Sequence, residues 1–376
     1  MAGNWARAQA RVRIEALGAA SLDDRTLRRQ VLTVLREVVV FDAYVWLLTD
    51  PVTAVGAAPL ADVPCMAELP ALIKAKYATS VNRWTALRQQ ASSVALLHST
   101  VHGDLARSRL WRDVLSRYAI GDVASTVFAD QFGCWGFLDL WRDDSREPFS
   151  IADAGFIASL NAPLTKALRR SQARTFIESA MPQRHQAGPV VLTLDDDLRI
   201  TGRTAASQAW LNVLLPPEPD ERAIPASVYN VAAQLIAAEE GVDTHPASTR
   251  THLADGFWLT LRAARLSASE QEPGAAPSGA AALVVTIEEA SAVERLKLFG
   301  RVFGLSAREH QLLGLLATGS DTRAMAREMS LSEHTIQDHL KSIFAKTGAR
   351  DRVTVLSRAL GTRREAKGRT EAWESR

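Results

Sequence analysis

The chain has 376 residues, 47% apolar and 23% charged. It holds no apolar run of about 18 residues and no apolar N-terminal stretch of roughly 7–15, which excludes a membrane-spanning helix and reads against a secretory signal. Its two cysteines, Cys65 and Cys134, exclude a disulfide scaffold and a C-x-x-C zinc site and suit a reducing cytoplasm, and the lack of a visible repeat excludes a solenoid. The net charge of +2 is uneven: residues 296–376 carry 15 Lys/Arg against 9 Asp/Glu, so +6 sits at the end and −4 on the preceding 295 residues. A basic end on an acidic body points to a polyanion as that end's partner.

Residues 1–24 form an N-terminal segment. Over 22–40, Leu22, Leu27, Val31, Val34, Leu35 and Val38 recur at helical spacing. FDAYVWLLTD (41–50) reads as a buried strand closed by Asp50-Pro51. Residues 66–118 read as helical and irregular. STVFAD (125–130) and GCWGFLDLWR (133–142) read as strands, and a helix running to about 178 starts at Ser150 and Asp153, spaced as a capping box with Asp for Glu. MPQRHQAGP (181–189) is a linker by composition. VVLTLDDDLRITGRT predicts strand, acidic turn, strand. ASQAWLNVLL predicts a helix, PPEPDERAIP a loop and SVYNVAAQLIAAEE a helix. FWLTLRAARL (257–266) and AALVVTIEEA (281–290) predict strands flanking the loop QEPGAAPSG. Residues 291–304 predict a connecting helix with Val293, Leu296, Phe299 and Phe303 on one face. The tail, 362–376, is polar and expected to be disordered.

Residues 305–360 carry the strongest pattern. Ser306 and Glu309 form a capping box for a helix ending near Gly319, and Asp321 caps a second helix through Met329. After the turn Ser330-Leu331-Ser332, a third helix runs from Glu333 to Thr347 and stops at Gly348. A fourth runs from about Arg352 to Leu360. Leu312, Leu316, Met325, Met329, Leu331, Ile336, Leu340 and Ile343 supply one core. Two short helices with a three-residue turn form a helix-turn-helix. The third helix's outward side carries His334, Thr335, Gln337, Asp338, His339 and Lys341. Gln pairs with adenine and Asp accepts from cytosine in the major groove. Thr335, His339, Lys341 and Lys346 suit phosphates, which set position rather than sequence. Spacing alone leaves open an ordinary solvated helix in a small bundle.

The segment resembles the LuxR-type helix-turn-helix of bacterial transcription regulators. The resemblance rests on Leu305, Ser306, Arg308, Glu309, Leu312, Leu313, Leu315, Ala317 and Gly319, then Met325, Ala326 and Met329, then Ser332, Thr335, Ile336, His339, Ile343, Lys346, Thr347 and Gly348. Ala324, Ser330 and Gln337 depart from its usual Glu, turn Gly and Lys. The resemblance implies that Thr335, Gln337, His339 and Lys346 face DNA and that Thr354, Val355 and Arg358 help dimerisation. Arg323 of the second helix joins the candidate DNA-contacting residues.

Residues 25–178 resemble a GAF sensor domain, through the helix before FDAYVWLLTD, HGDLARSRLWRDVL and CWGFLDLWRDDSREPFSIADAGFIASL. Residues 188–290 resemble a PAS-like fold in the order of their elements. The fold class expected is thus multidomain α+β with an all-α four-helix C-terminal domain over 305–361. A small molecule between sheet and helices of the first domain would meet Tyr44, Trp46, Trp84, Trp111, Cys134 and Trp135, with His98 and His102 nearby. The same aromatic residues also suit a plain core. His98 and His102 lack the partners of a metal site. Cys134 reads as a buried small hydrophobe rather than a thiol sensor. Asp195-Asp196-Asp197 reads as a solvated β-turn, because no later strand supplies an acid and a Lys to complete a phosphoacceptor. The absence of a P-loop and of a nucleophile elbow excludes an ATPase-bearing regulator.

These readings make the chain a cytoplasmic DNA-binding transcription regulator with no cofactor and no catalytic residues. Its expected partners are double-stranded DNA, a second copy of the chain, RNA polymerase and an unidentified small-molecule signal, without a membrane. Two alternatives stay open: sensory domains that act as ligand-free dimerisation scaffolds, and a C-terminal bundle that binds a protein partner.

Overall fold

The computed structural model describes residues 2–177, 190–207, 226–252, 258–266 and 282–361. The expected linker 181–189, most of ASQAWLNVLL, the loops PPEPDERAIP and QEPGAAPSG, and the tail 362–376 lie outside the described residues. Two compact units divide the chain, Met1–Gln172 with Arg184–Ala290, and Ala173–Gln183 with Ser291–Arg376.

In the first unit, β1 (Ala43–Thr49), β2 (Gly56–Asp62), β3 (Val94–Leu96), β4 (Ile120–Asp130) and β5 (Gly133–Asp143) form an antiparallel sheet in the order β2-β1-β5-β4-β3. Helices α1 (Ala2–Ala19), α2 (Asp24–Arg36), α3 (Leu69–Ala78), the short α4 (Trp84–Leu87), α5 (Leu97–Thr100) and α6 (Arg109–Asp113), and the long α7 (Ile151–Thr175) accompany it. The α7 capping box forms as its spacing predicts: Asp153 N donates to Ser150 Oγ at 3.1 Å and Ser150 N to Asp153 Oδ2 at 3.0 Å.

A second antiparallel sheet holds β6 (Val190–Leu194), β7 (Ile200–Arg203), β8 (Ser248–His252), β9 (Trp258–Arg265) and β10 (Leu283–Glu289), with α8 (Ala226–Glu239). Its order, β7-β6-β10-β9-β8, is that of the first sheet displaced by five strands. The chain therefore repeats a topology, although its sequence shows no repeat. The acidic turn is solvated, as expected, with Asp196 and Asp197 exposed, and its carboxylates also find surface partners. Asp195 Oδ1 accepts from Arg199 N at 2.8 Å, Asp196 meets Arg265 at 2.7 Å and Asp197 meets Lys74 at 2.9 Å.

The two sheets share one apolar core, in which Leu47, Tyr77, Trp84 and Phe137 join Leu192, Val231, Leu261 and Val285. Two buried ion pairs fasten the halves. Arg83 Nε lies 2.7 Å from Asp243 Oδ2. Arg250 forks onto Asp50, Nε to Oδ2 at 2.6 Å and Nη2 to Oδ1 at 2.8 Å. The regions expected as GAF-like and PAS-like domains, each with its own five-stranded sheet, lie within one compact unit.

The second unit contains α9 (Ala292–Val302), α10 (Ala307–Ala317), α11 (Thr322–Met329), α12 (Glu333–Thr347) and α13 (Arg352–Leu360). Ser291 and Glu294 form a capping box that starts α9. The inward face of α9 is Leu298, Phe299 and Val302, whereas Val293, expected on it, is 61% exposed. The true inward face includes Arg295, buried with its guanidinium 5.4 Å from the Phe176 ring. Phe176 is itself buried, its ring 5.5 Å from Phe299 and 6.5 Å from Phe303. Gly300 allows α9 to approach α10: a Cβ there would lie 2.1 Å from His310 Cε1. The connecting helix is therefore an integral part of the helical unit. No helix among the described residues is long and apolar enough to cross a membrane.

Candidate nucleic-acid interface

Local signals place each helix of the C-terminal unit. Ser306 N donates to Glu309 Oε2 at 2.6 Å and Glu309 N to Ser306 Oγ at 3.3 Å, closing the box that starts α10. Asp321 Oδ1 accepts from Ala324 N at 2.7 Å to start α11. Ser330 ends α11 with φ +54°, the left-handed conformation that a side chain resists by roughly 1–2 kcal/mol. Ser332 Oγ accepts from Thr335 N at 3.1 Å to start α12, and Gly348 ends it at φ +64°. Leu312, Leu316, Met325, Met329, Ile336, Leu340 and Ile343 are buried as expected. Leu313 joins them, while Leu331 is half-buried.

With Ile336, Leu340 and Ile343 turned inward, the 3.6-residue repeat sets Asp338 about 180° away, at the centre of the outward face. Its carboxylate takes a hydrogen bond from Lys341 Nζ at 3.1 Å and faces His334 Nε2 at 3.6 Å. The bond from Lys341 holds the Asp338 carboxyl below its ordinary range, so the group is anionic. Gln337, His334, Lys341 and Arg323 are exposed, and Thr335 and His339 are half-buried. The Thr335 hydroxyl lies 2.9 Å from Ser332 Oγ, which engages it with the cap.

Lys346 stands apart from that face. Its Nζ donates to Glu309 Oε2 at 2.6 Å, and Ser342 Oγ donates to Glu309 Oε1 at 2.6 Å. Glu309 is almost fully buried. Burial alone would raise its carboxyl, but the hydrogen bonds from Lys346, Ser342 and Ser306 N hold it down at about 2. One carboxylate thus caps α10 and fixes α12 against it. Only the cap is local in sequence, since the link to Lys346 spans 37 residues.

The residues expected at a dimer interface are used within the unit. Val355 is fully buried, Thr354 N donates to Asp351 Oδ1 at 2.7 Å, and Arg358 Nη1 donates to Thr347 O at 2.9 Å. The exposed apolar residue of α13 is Val353.

The expected ligand-pocket residues do not all lie together, although Trp84 and Cys134 share one apolar core. Tyr44 and Trp46 alternate with Leu47 along β1 and so share the sheet face opposite to it. Trp84 stacks on Phe137, the cross-strand partner of Leu47, with centroids 4.5 Å apart, and is on that other face. Trp84, Trp111 and Trp135 each donate an indole N–H internally, to Ala54 O at 2.8 Å, Ile120 O at 2.8 Å and Asp130 Oδ1 at 2.9 Å. His98 sits in α5, but His102 lies beyond it at φ +54°, which breaks their helical spacing. No cluster of metal-ligating residues occurs among the described residues. Both cysteines are buried; burial pushes the Cys65 thiol up to about 11 and raises that of Cys134.

Residues 304–359 match the family described as "Bacterial regulatory proteins, luxR family". A monoamine regulon transcriptional regulator of Klebsiella aerogenes is 35% identical over 54 residues, 14% of this chain and 24% of that protein. The probable HTH-type transcriptional regulator GfsR of Streptomyces halstedii is 35% identical over 89 residues, 24% of this chain and 37% of that protein. The matches thus span well under half the length of these curated relatives. SdiA of Escherichia coli aligns over 96% of this chain and 98% of its own at a TM-score of 0.30 and 12% identity, a likeness too loose to bear on the fold.

Proposed function

We propose that this chain, whose residues 304–359 are a luxR-family regulatory domain, is a cytoplasmic, sequence-specific transcription regulator that acts by binding double-stranded DNA rather than by catalysis. One observation carries the reading. The outward face of α12 gathers His334, Gln337, Asp338 and Lys341 opposite a fully buried apolar line, the arrangement a major-groove helix needs. Lys341 and Arg323 anchor phosphates, Gln337 and Asp338 read base edges, and Thr335 and His339 flank them. Lys346 works chiefly through Glu309, by holding α12 in place. A homodimer would present two such helices about one turn of DNA apart, and RNA polymerase is the partner on the promoter.

The two sheets with their helices support a GAF-like and PAS-like sensory part. The placement of Tyr44 and Trp46 on the sheet face opposite Trp84 favours a scaffold that holds the dimer over a single small-molecule pocket lined by all the expected residues.

Binding of the full chain to duplex DNA at several salt concentrations tests the reading. Lys341→Ala weakens binding to every sequence and lowers the salt slope by about one. Gln337→Ala leaves that slope unchanged and relaxes the sequence preference. If neither variant changes binding, α12 is not the DNA-reading helix.

A further inference from the structure

We propose that Asp338 is a specificity-determining residue that demands a cytosine at one base pair of each half-site. The inference rests on the DNA-binding reading above and adds which base is read and how the others are refused. Asp338 lies about opposite the buried line of α12, so it stands at the centre of the face that would meet DNA. An ionised carboxylate only accepts hydrogen bonds. In the major groove, guanine offers acceptors alone and thymine an acceptor beside a methyl group. Adenine offers a donor flanked by the N7 acceptor, whereas cytosine offers the N4 donor without one. The carboxylate is therefore matched best by cytosine, less well by adenine, whose N7 acceptor flanks the donor, and is opposed by guanine and thymine.

Its neighbours support this role. Lys341 at 3.1 Å and His334 at 3.6 Å hold the carboxylate from either side along the helix. The Lys341 ammonium offsets its repulsion from the phosphates, and the hydrogen bond from Lys341 fixes its direction. The same pairing keeps Lys341 partly engaged with Asp338. On DNA without the matching cytosine, the unmatched carboxylate penalises the complex, so discrimination comes from repulsion as well as attraction.

Selection of bound duplexes from a randomised pool, with full-length wild type, Asp338→Asn and Asp338→Ala in parallel, tests the assignment. Asp338 is exposed, so both variants keep the packing of α12. The wild type is expected to enrich a cytosine at one position per half-site. Asp338→Asn should enrich adenine there, because an amide pairs with adenine N6 and N7. Asp338→Ala should lose preference at that position alone. It should also bind unrelated duplex about tenfold more tightly, with a steeper salt slope, as Lys341 is released to phosphate. If all three proteins enrich one motif with equal preference at every position, Asp338 reads no base and the assignment falls. If the wild type binds no duplex even at low salt, the DNA-binding reading itself falls, and this assignment with it.

Discussion

Glu309→Ala is expected to loosen the C-terminal helical unit by about 3 kcal/mol and to detach α12 from α10. The carboxylate accepts from Ser306 N, Ser342 Oγ and Lys346 Nζ, each at 2.6 Å, in an almost fully buried position. Its ionisation is held down from 4.5 to about 2, and that difference corresponds to roughly 3 kcal/mol of linkage. Breaking a buried pair costs about 3–5 kcal/mol. The lower end applies because the Lys346 side chain is 36% exposed and can regain water. The sign of the pH dependence follows from the lowered value. The stabilisation is complete above about pH 4.5 and is lost as pH falls toward 2. Hydrogen exchange of α10 and α12 amides in the full chain measures both effects. Protection should collapse in Glu309→Ala at neutral pH and in wild type only in acid. Equal protection in the two proteins at pH 7 would show that the link does not hold the helices.

Asp50→Ala is expected to destabilise the N-terminal unit by about 3–5 kcal/mol. Asp50 is 1% exposed and accepts from Val52 N and Thr53 N in its own turn and from Arg250 N, Nε and Nη2 across the joint. Its removal costs the buried Arg250 charge this counter-charge and leaves two local N–H groups unmatched. Arg250→Ala should cost less, since Asp50 keeps its own turn's donors. Trp46, Trp84, Trp135 and Trp141 are buried in this unit, so tryptophan fluorescence during urea unfolding reports it. A loss below about 1 kcal/mol in Asp50→Ala would mean that the apolar core alone fastens the two sheets.

What the sequence made legible was what neighbours in the chain decide. The caps at Ser306, Asp321 and Ser332, the stop at Gly348, the Ser150–Asp153 box and the buried line of α12 all depend on residues within a few positions of one another. The strands it did not mark, β2, β3 and β8, are all edges of their sheets. An edge strand need not carry strong apolar alternation, and β2 even contains Pro59. The inward face of α9 departs from its apolar spacing because Val293 stands one turn too early, where Arg295, Phe176 and Gly361 complete the packing instead. Lys346 read as a phosphate ligand for the same reason that Glu309 read as a cap only: their pairing is made in space. The Asp50–Arg250 link spans 200 residues and left no local trace. Of the candidate DNA-contacting set, the α12 face was legible, because amphipathic spacing fixes which side chains point outward. The Lys341 ion pair that orients Asp338 needed the structure.

Whether that face meets DNA is tested most directly by thiol protection. Cys65 and Cys134 are both buried, so in Gln337→Cys the introduced thiol is the reactive one in the folded full chain. Its alkylation rate is measured with and without long duplex DNA at low salt, where sequence-independent binding suffices, against Ala8→Cys on the exposed side of α1. The expected result is several-fold slower alkylation at position 337 when DNA is bound, recovery of the free rate as salt dissociates the complex, and no change at position 8. An unchanged rate at 337 with the duplex demonstrably bound would contradict the assignment of α12 as the DNA-reading helix.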